Sequence, residues 1–172
     1  IRHSPGNNHC SDTRVLRRCS MDEAMTVKVS CRHSIDAPIS DAWVVLGDFG
    51  SILRWVVGGS EATIQLTGSG PGMLRDLDLP SVGKVQHRLD VLDEDAHRIV
   101  YSLTAGRPLG MVEYSVSAQL LDRSDGGCTL EWLGEFTPEP DASAEQMAEG
   151  LENAYEDLSK RFNELLGNPG PG

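Results

Sequence analysis

The chain alternates apolar and polar residues in several short runs, which is the pattern of half-buried β-strands. In TVKVSCRHSI, residues 26–35, Val27, Val29 and Cys31 alternate with polar residues. Because successive side chains of a strand point to opposite faces, this run predicts one buried and one exposed face. Six further strand-like runs follow, separated by turn residues such as GSGPG, GRPLG and SDGG: 61–67, 72–79, 84–92, 97–104, 110–121 and 128–136.

Helical patterns are found in three places. Pro38 and Asp41 favour a helix start in the apolar stretch 39–49, and a second short helix is predicted at 51–56. Further along, apolar residues recur every three or four positions, at Met147, Leu151, Tyr155, Leu158, Phe162 and Leu165. That stripe predicts one long amphipathic helix.

The order of these elements predicts an α+β domain. Strands joined by short turns form an antiparallel meander, and such a sheet needs its apolar face covered. We therefore expect a curved antiparallel sheet of about seven strands wrapped around the long helix, with two short helices after the first strand. This arrangement commonly leaves a cavity between helix and sheet. The domain is predicted at 25–167, after a disordered extension, 1–24, and before a flexible tail, 168–172.

Composition and charge narrow the choice of partners. The 172 residues suffice for one domain with a sizeable core, and 39% hydrophobic with 24% charged residues is typical of a globular protein. The formal net charge of −11 repels phosphate backbones and anionic lipid head groups. No apolar run approaches the roughly 20 residues that cross a bilayer. Neither nucleic acid nor membrane is a predicted partner, and the sequence does not distinguish a monomer from a homodimer.

Cysteine, histidine and glycine spacing shows no catalytic or metal-binding signature. The four cysteines lack CxxC spacing and are interpreted as free thiols of a reducing compartment, which predicts a cytoplasmic location. The five histidines form no HxxxH or HExxH pair, and GSGPG (68–72) lacks the strand-then-helix context of a nucleotide loop. No metal and no organic cofactor is predicted.

One ionisable residue stands in an apolar row. In the predicted hairpin VQHRLDVLDEDAHRIVYSL, residues 85–103, His87 alternates with Val85 and Leu89, and the turn places it opposite Leu103. It is either a core histidine, hydrogen-bonded to a backbone carbonyl or exposed at the sheet edge, or a proton-transfer or ligand-anchoring group. The second interpretation requires that the row lines a cavity.

The sequence does not determine on which face of the sheet the side chain of Glu131 lies. A two-residue turn at 125–126 would pair Leu120 with Glu131 and place the carboxylate on the face of Tyr114. The apolar residues that alternate with Glu131 favour the opposite face, and a slip of one residue at Gly127 would produce that register. A buried carboxylate would need a polar partner or a raised pKa.

Five segments carry a likeness to known proteins: IDAPISDAWVVLGDFGSILRWV (35–56), GSGPGMLRDL (68–77), HRLDVLDEDAHRIVYSL (87–103), VEYSVS (112–117) and CTLEWLGEF (128–136). With the closing helix, over about residues 26–166, they resemble the START-like, helix-grip superfamily. Its members include polyketide cyclase/dehydrase proteins, birch-pollen-allergen relatives and plant abscisic acid receptors. The resemblance implies a deep, mostly apolar pocket for a hydrophobic or polycyclic small molecule.

The resemblance also implies where the site lies. It places Trp55, Arg75, His87, Tyr101, Tyr114 and Glu131 along the cavity wall, with Met147, Leu151 and Tyr155 from the helix. LDLPSVGK (77–84) resembles a gating loop with Leu79 and Pro80 at its tip, and AGRPLG (105–110) would face it. Where the abscisic acid receptors carry a carboxylate-binding lysine, this chain has Val56, so an acidic ligand loses its most obvious clamp.

Two functions are expected from these observations. The first is a polyketide cyclase/dehydrase-like protein of secondary metabolism that acts on a hydrophobic small molecule. His87 would be the acid/base, Tyr114 the hydrogen-bond donor to an oxyanion or carbonyl, and Glu131 the orienting carboxylate. The alternative is a non-catalytic carrier or sensor whose two loops close over the ligand.

Overall fold

The computed structural model describes residues 9–10, 14–16, 26–56, 59–80 and 82–167. Its strands are β1 (His9–Cys10), β2 (Arg14–Leu16), β3 (Thr26–Ile35), β4 (Thr63–Thr67), β5 (Leu74–Leu79), β6 (Gly83–Asp93), β7 (Arg98–Ala105), β8 (Met111–Asp122) and β9 (Cys128–Pro138). The α-helices are α1 (Ile39–Leu46) and α2 (Ala144–Gly167), and short 3₁₀ helices lie at Ser51–Arg54, Gly59–Glu61 and Pro108–Gly110.

All described strands belong to one antiparallel sheet. Its order is β1-β3-β9-β8-β7-β6-β5-β4, and β2 also pairs with β3. The seven strands from β3 to β9 and the long helix α2 confirm the predicted helix-grip architecture. The register of the β6–β7 hairpin is also confirmed, since His87 lies opposite Leu103.

The core lies between the sheet and α2 because the strands alternate buried and less buried residues. In β9 the buried row includes Leu130, Trp132 and Phe136. The Trp132 ring stacks on Tyr155 of α2, with ring centroids 4.9 Å apart and planes 4° from parallel. The helix is thereby fixed against the middle of the sheet.

The first 24 residues, predicted to be a disordered extension, are described only in part. Five of them form the strands β1 and β2, which pair with β3. The rest of this extension and the predicted tail, 168–172, lie outside the described residues.

The prediction of four free thiols is wrong, because one of these cysteines forms a disulfide bond. Cys31 is disulfide-bonded, whereas Cys128 is a free, buried thiol. Spacing along the sequence does not reveal which cysteines a sheet brings together. The prediction of a cytoplasmic location was based on the expectation of free thiols. It remains a prediction, but it no longer has this support. Within the described part of the chain, no helix combines the length and hydrophobicity needed to span a membrane.

Candidate functional site

A cavity of about 410 Å³ lies between α2 and the strands β5 to β8. Most of its wall is apolar: Ile52, Val56, Leu77, Leu79, Val82, Val85, Pro108, Leu109, Met111, Leu151, Ala154 and Leu158. Polar side chains in the wall are Arg75, His87, Tyr101, Tyr114, Asn153, Tyr155 and Asp157. Cavities of this size and polarity accept drug-sized organic molecules.

The β5–β6 hairpin places two of the polar groups side by side. Leu79 pairs with Gly83 across the turn, and this register puts Arg75 directly opposite His87. Arg75 also shares the buried row of Leu77 and Leu79. Residues directly opposite on antiparallel strands share one face, so both side chains point toward α2.

Arg75 is a buried guanidinium, only 3% exposed. Its Nη1 donates to the Phe49 carbonyl at 2.8 Å, and its Cζ lies 3.9 Å from the centre of the Phe49 ring and 4.9 Å from that of Tyr101. Nε has no hydrogen-bond partner, and no carboxylate among the described residues lies within ion-pair distance. Burial lowers the pKa of Arg75, yet a guanidinium stays protonated at neutral pH.

His87 is held in one tautomer by this neighbour. Arg75 Nη2 lies 3.2 Å from His87 Nδ1. Because a guanidinium only donates, Nδ1 must accept, and the ring hydrogen is on Nε2. Burial and then the charge of Arg75 lower the pKa of His87 to about 3, so the ring is neutral at pH 7. Nε2 has no acceptor among the described residues and is a free donor in the cavity wall.

Two tyrosines form the other polar point of the wall. The hydroxyls of Tyr114 and Tyr155 are 2.6 Å apart, and both rings are buried. Burial raises the pKa of both phenols, so both are neutral. One hydroxyl donates to the other, which leaves the acceptor's own hydrogen free to bond a ligand oxygen. Gly134 of β9 makes room for this arrangement, because a Cβ there would overlap the Tyr155 hydroxyl.

The cavity opens where two loops approach each other. Val82 is 38% exposed and Leu109 is 51% exposed, and both line the cavity. Gly106, with φ +92°, lies so close to the β5–β6 hairpin that a Cβ would be 2.5 Å from the Lys84 carbonyl oxygen. The absence of a side chain at 106 therefore lets the two loops meet beside the opening.

Seven of the residues predicted for the site line the cavity: Arg75, His87, Tyr101, Tyr114, Leu79, Leu151 and Tyr155. Four others do not: Trp55, Pro80, Met147 and Glu131. Trp55 packs in the core against Trp132 and Phe162, with ring centroids 6.2 and 5.1 Å away. Pro80 is exposed on the hairpin turn, whose Ser81 lies outside the described residues. Met147 packs beside the Pro108–Gly110 helix.

Glu131 is the main error in the predicted site. β8 and β9 pair Leu120 with Leu130 and Gln119 with Glu131, so Glu131 lies on the face away from α2. Its carboxylate forms an ion pair with Arg32 of β3 at 2.5 Å. Trp132, the next residue, is the buried neighbour of Tyr155. The register that follows from hydrophobicity is thus the observed one.

The sequence did not single out several groups that complete the site. The Phe49 carbonyl and ring hold Arg75, while Val85, Met111 and Leu158 form much of the apolar wall. Val85 and Met111 occupy buried positions in strand patterns that were recognised, but alternation does not show which buried residues border a cavity. Nothing in the local sequence marks a backbone carbonyl as a ligand of arginine.

Comparisons with known proteins fit this geometry. Residues 26–167 match the model of the family described as polyketide cyclase / dehydrase and lipid transport. The structure of the protein XoxI from Bacillus cereus is similar with a TM-score of 0.72 at 22% identity, covering 82% of this chain and 96% of that one. Norcoclaurine synthase from Thalictrum flavum, in complex with dopamine and hydroxybenzaldehyde, is similar with a TM-score of 0.66 at 14% identity, covering 94% and 100%.

A Thermobifida fusca protein structure is similar with a TM-score of 0.61 at 25% identity, covering 80% of this chain and 94% of that one. No curated protein matches the sequence.

Proposed function

Because the chain belongs to the polyketide cyclase / dehydrase and lipid transport family, we propose that it binds a hydrophobic small molecule in the cavity between α2 and the sheet. The observation that carries the proposal is the cavity itself. Protein interiors are ordinarily close-packed, so an apolar space of about 410 Å³ bordered by few polar groups is unusual unless a guest occupies it.

The distribution of polar groups supports binding of a mainly apolar molecule that carries an oxygen-bearing group. Arg75 and His87 lie together on β5 and β6, while the residues toward the loops, such as Val82 and Leu109, are apolar. An elongated or polycyclic guest would bury its apolar part along α2 and direct an oxygen-bearing group to the guanidinium and imidazole.

Filling the cavity tests binding directly. The probe is N-phenyl-1-naphthylamine, a neutral dye whose fluorescence rises in apolar surroundings. Ala154 lines the cavity from α2, and we expect Ala154→Trp to weaken dye binding by at least about tenfold, ~1.4 kcal/mol, because the indole occupies the same space. Glu164→Trp, on an exposed part of the same helix, is the matched control and should bind as the parent does. Equal binding by both variants would place the dye elsewhere and refute the proposal.

Catalysis of a cyclisation or dehydration is the second candidate, and the Arg75–His87 pair is the observation that favours it. With its hydrogen on Nε2, His87 does not fit the predicted acid/base role, since its Nδ1 already accepts from Arg75 and its low pKa disfavours the imidazolium. The Nε2–H and the guanidinium instead form two donors for a carbonyl oxygen that becomes an enolate. Preorganised donors of this kind stabilise developing negative charge.

Deuterium uptake by 1-tetralone in D₂O checks this second candidate. When the C–H bond beside the carbonyl breaks, the proton passes to solvent and the electron pair moves toward the oxygen, which the two donors stabilise. We expect NMR to show at least about tenfold faster exchange with the protein than in buffer, and no acceleration with His87→Phe. Displacement of the dye by 1-tetralone from both proteins confirms occupancy. Exchange at the buffer rate with the cavity occupied would exclude this chemistry and leave binding as the function.

A further inference from the structure

Arg75 is a charged group without a counter-charge. Its hydrogen-bond partners in the protein include the Phe49 carbonyl, the neutral His87 ring and the Tyr101 hydroxyl, none of which carries a net charge, and it lies against the rings of Phe49 and Tyr101. An ion removed from water normally requires a partner of opposite charge. The unliganded protein does not supply one within the described residues.

The elements around Arg75 supply no compensating negative charge among the described residues. Asp157 of α2 is the one carboxylate in the described cavity wall, and it is paired with Arg161 at 3.0 Å. Besides burial, the groups that shift the pKa of Arg75 are Tyr101 and Tyr114, which are neutral phenols. The positive charge at the end of the cavity is therefore uncompensated by the described groups around it.

Two donors at this end have no acceptor. Arg75 Nε is buried without a partner, and His87 Nε2–H is free in the wall. A carboxylate or another anionic oxygen group accepts such N–H donors and supplies the missing charge at once. One guanidinium with a neutral imidazole balances a single negative charge rather than two.

We propose that the natural ligand is an organic monoanion, whose carboxylate, sulfonate or enolate oxygens bind Arg75 and His87 while its hydrophobic body lies along α2. This inference rests on the proposed binding function and specifies the chemical class of the ligand.

Two dyes with the same aromatic skeleton separate charge from hydrophobicity. 8-Anilino-1-naphthalenesulfonate is N-phenyl-1-naphthylamine with an added sulfonate. We expect the parent protein to bind the sulfonate dye at least about tenfold more tightly than the neutral dye. Arg75→Met should abolish that preference. The variant should bind the anionic dye more weakly and the neutral dye with unchanged or higher affinity. Arg54→Met removes a positive charge from an exposed position and should keep the preference.

The outcomes distinguish this inference from the proposed function. Equal affinity for both dyes in the parent, or a preference that survives Arg75→Met, would overturn the monoanion proposal and leave hydrophobic binding intact. If the parent protein binds neither dye, the proposed binding function itself is refuted.

A matched competition keeps the proposal testable if Arg75→Met does not fold. Decanoate and 1-decanol share one chain length and differ in charge, and both are titrated against the neutral dye bound to the unmodified protein. Decanoate should displace it at least about tenfold more effectively, and equal displacement would refute the proposal.

Discussion

His87 occupies the apolar row of β6 because its cross-strand neighbour, Arg75, needs an acceptor there. The sequence predicted an unusual ring at this position but not its partner. Leu74 interrupts the apolar alternation next to Arg75, although Leu77 and Leu79 follow Arg75 at even spacing and share its buried row. The contact also decides the chemistry, since it fixes which nitrogen donates.

Acid should destabilise the protein through His87. In the unfolded chain the ring titrates near 6.5, whereas burial and Arg75 keep it neutral in the fold down to about pH 3. Between these values only the unfolded state takes up the proton, so the free energy of unfolding falls as the pH drops below 6.5. From pH 7 to pH 4.5 this amounts to about 2–3 kcal/mol, and His87→Phe should lack it.

Urea denaturation of the parent protein and of His87→Phe at pH 7 and pH 4.5 measures how much the free energy of unfolding of each protein falls. Between pH 7 and pH 8 the gap between the two proteins should change little, because the ring is mostly neutral in both states. Parallel pH dependences of the two proteins from pH 7 to 4.5 would show that His87 titrates normally in the fold.

At the scale of elements, the β8–β9 connection determines which face of β9 meets the helix. Asp122 pairs with Cys128, so residues 123–127 form the connection, and Gly126 has φ +91°. The longer connection shifts the register by one residue relative to a two-residue turn and turns Glu131 outward. Hydrophobic alternation within β9 predicted this face correctly, whereas the resemblance to known proteins did not.

Gly134 gives a test of the same register. Ala at this position would overlap the Tyr155 hydroxyl and come within 3.1 Å of Tyr155 Cζ and 3.2 Å of Leu151 Cδ2. We expect Gly134→Ala to lower the free energy of unfolding by about 1–3 kcal/mol. Combined with Tyr155→Phe, the loss should be smaller than the sum of the two single losses, because the phenyl ring lacks the clashing oxygen.

A second glycine-to-alanine change serves as the control for backbone effects. Gly150 lies within α2 and a Cβ there meets no atom within 4 Å, so Gly150→Ala should stabilise the protein by about 0.5–1 kcal/mol. Thermal and urea denaturation provide both values. Additive losses at Gly134 and Tyr155 would contradict the inward placement of Gly134.

At the scale of the whole molecule, periodicity predicted the architecture better than it predicted the site. The seven strands and the helix follow from spacing alone, because each element must bury one face. Whether a buried side chain borders the cavity depends on how far the sheet and the helix stand apart at that point. Trp55 and Met147 are buried as expected yet pack in solid core, whereas Tyr101 and Leu151 border the space.

The position of α2 after all the strands of the sheet has a consequence for biosynthesis. The ribosome releases the chain from its amino end, so the strands emerge before α2. The apolar face of the sheet is exposed until the helix follows. The cavity between α2 and the sheet forms only when the helix packs against the strands. If the protein binds a small molecule as proposed, a ligand present when α2 docks would be enclosed at that step, whereas a later one would enter where Val82 and Leu109 are exposed.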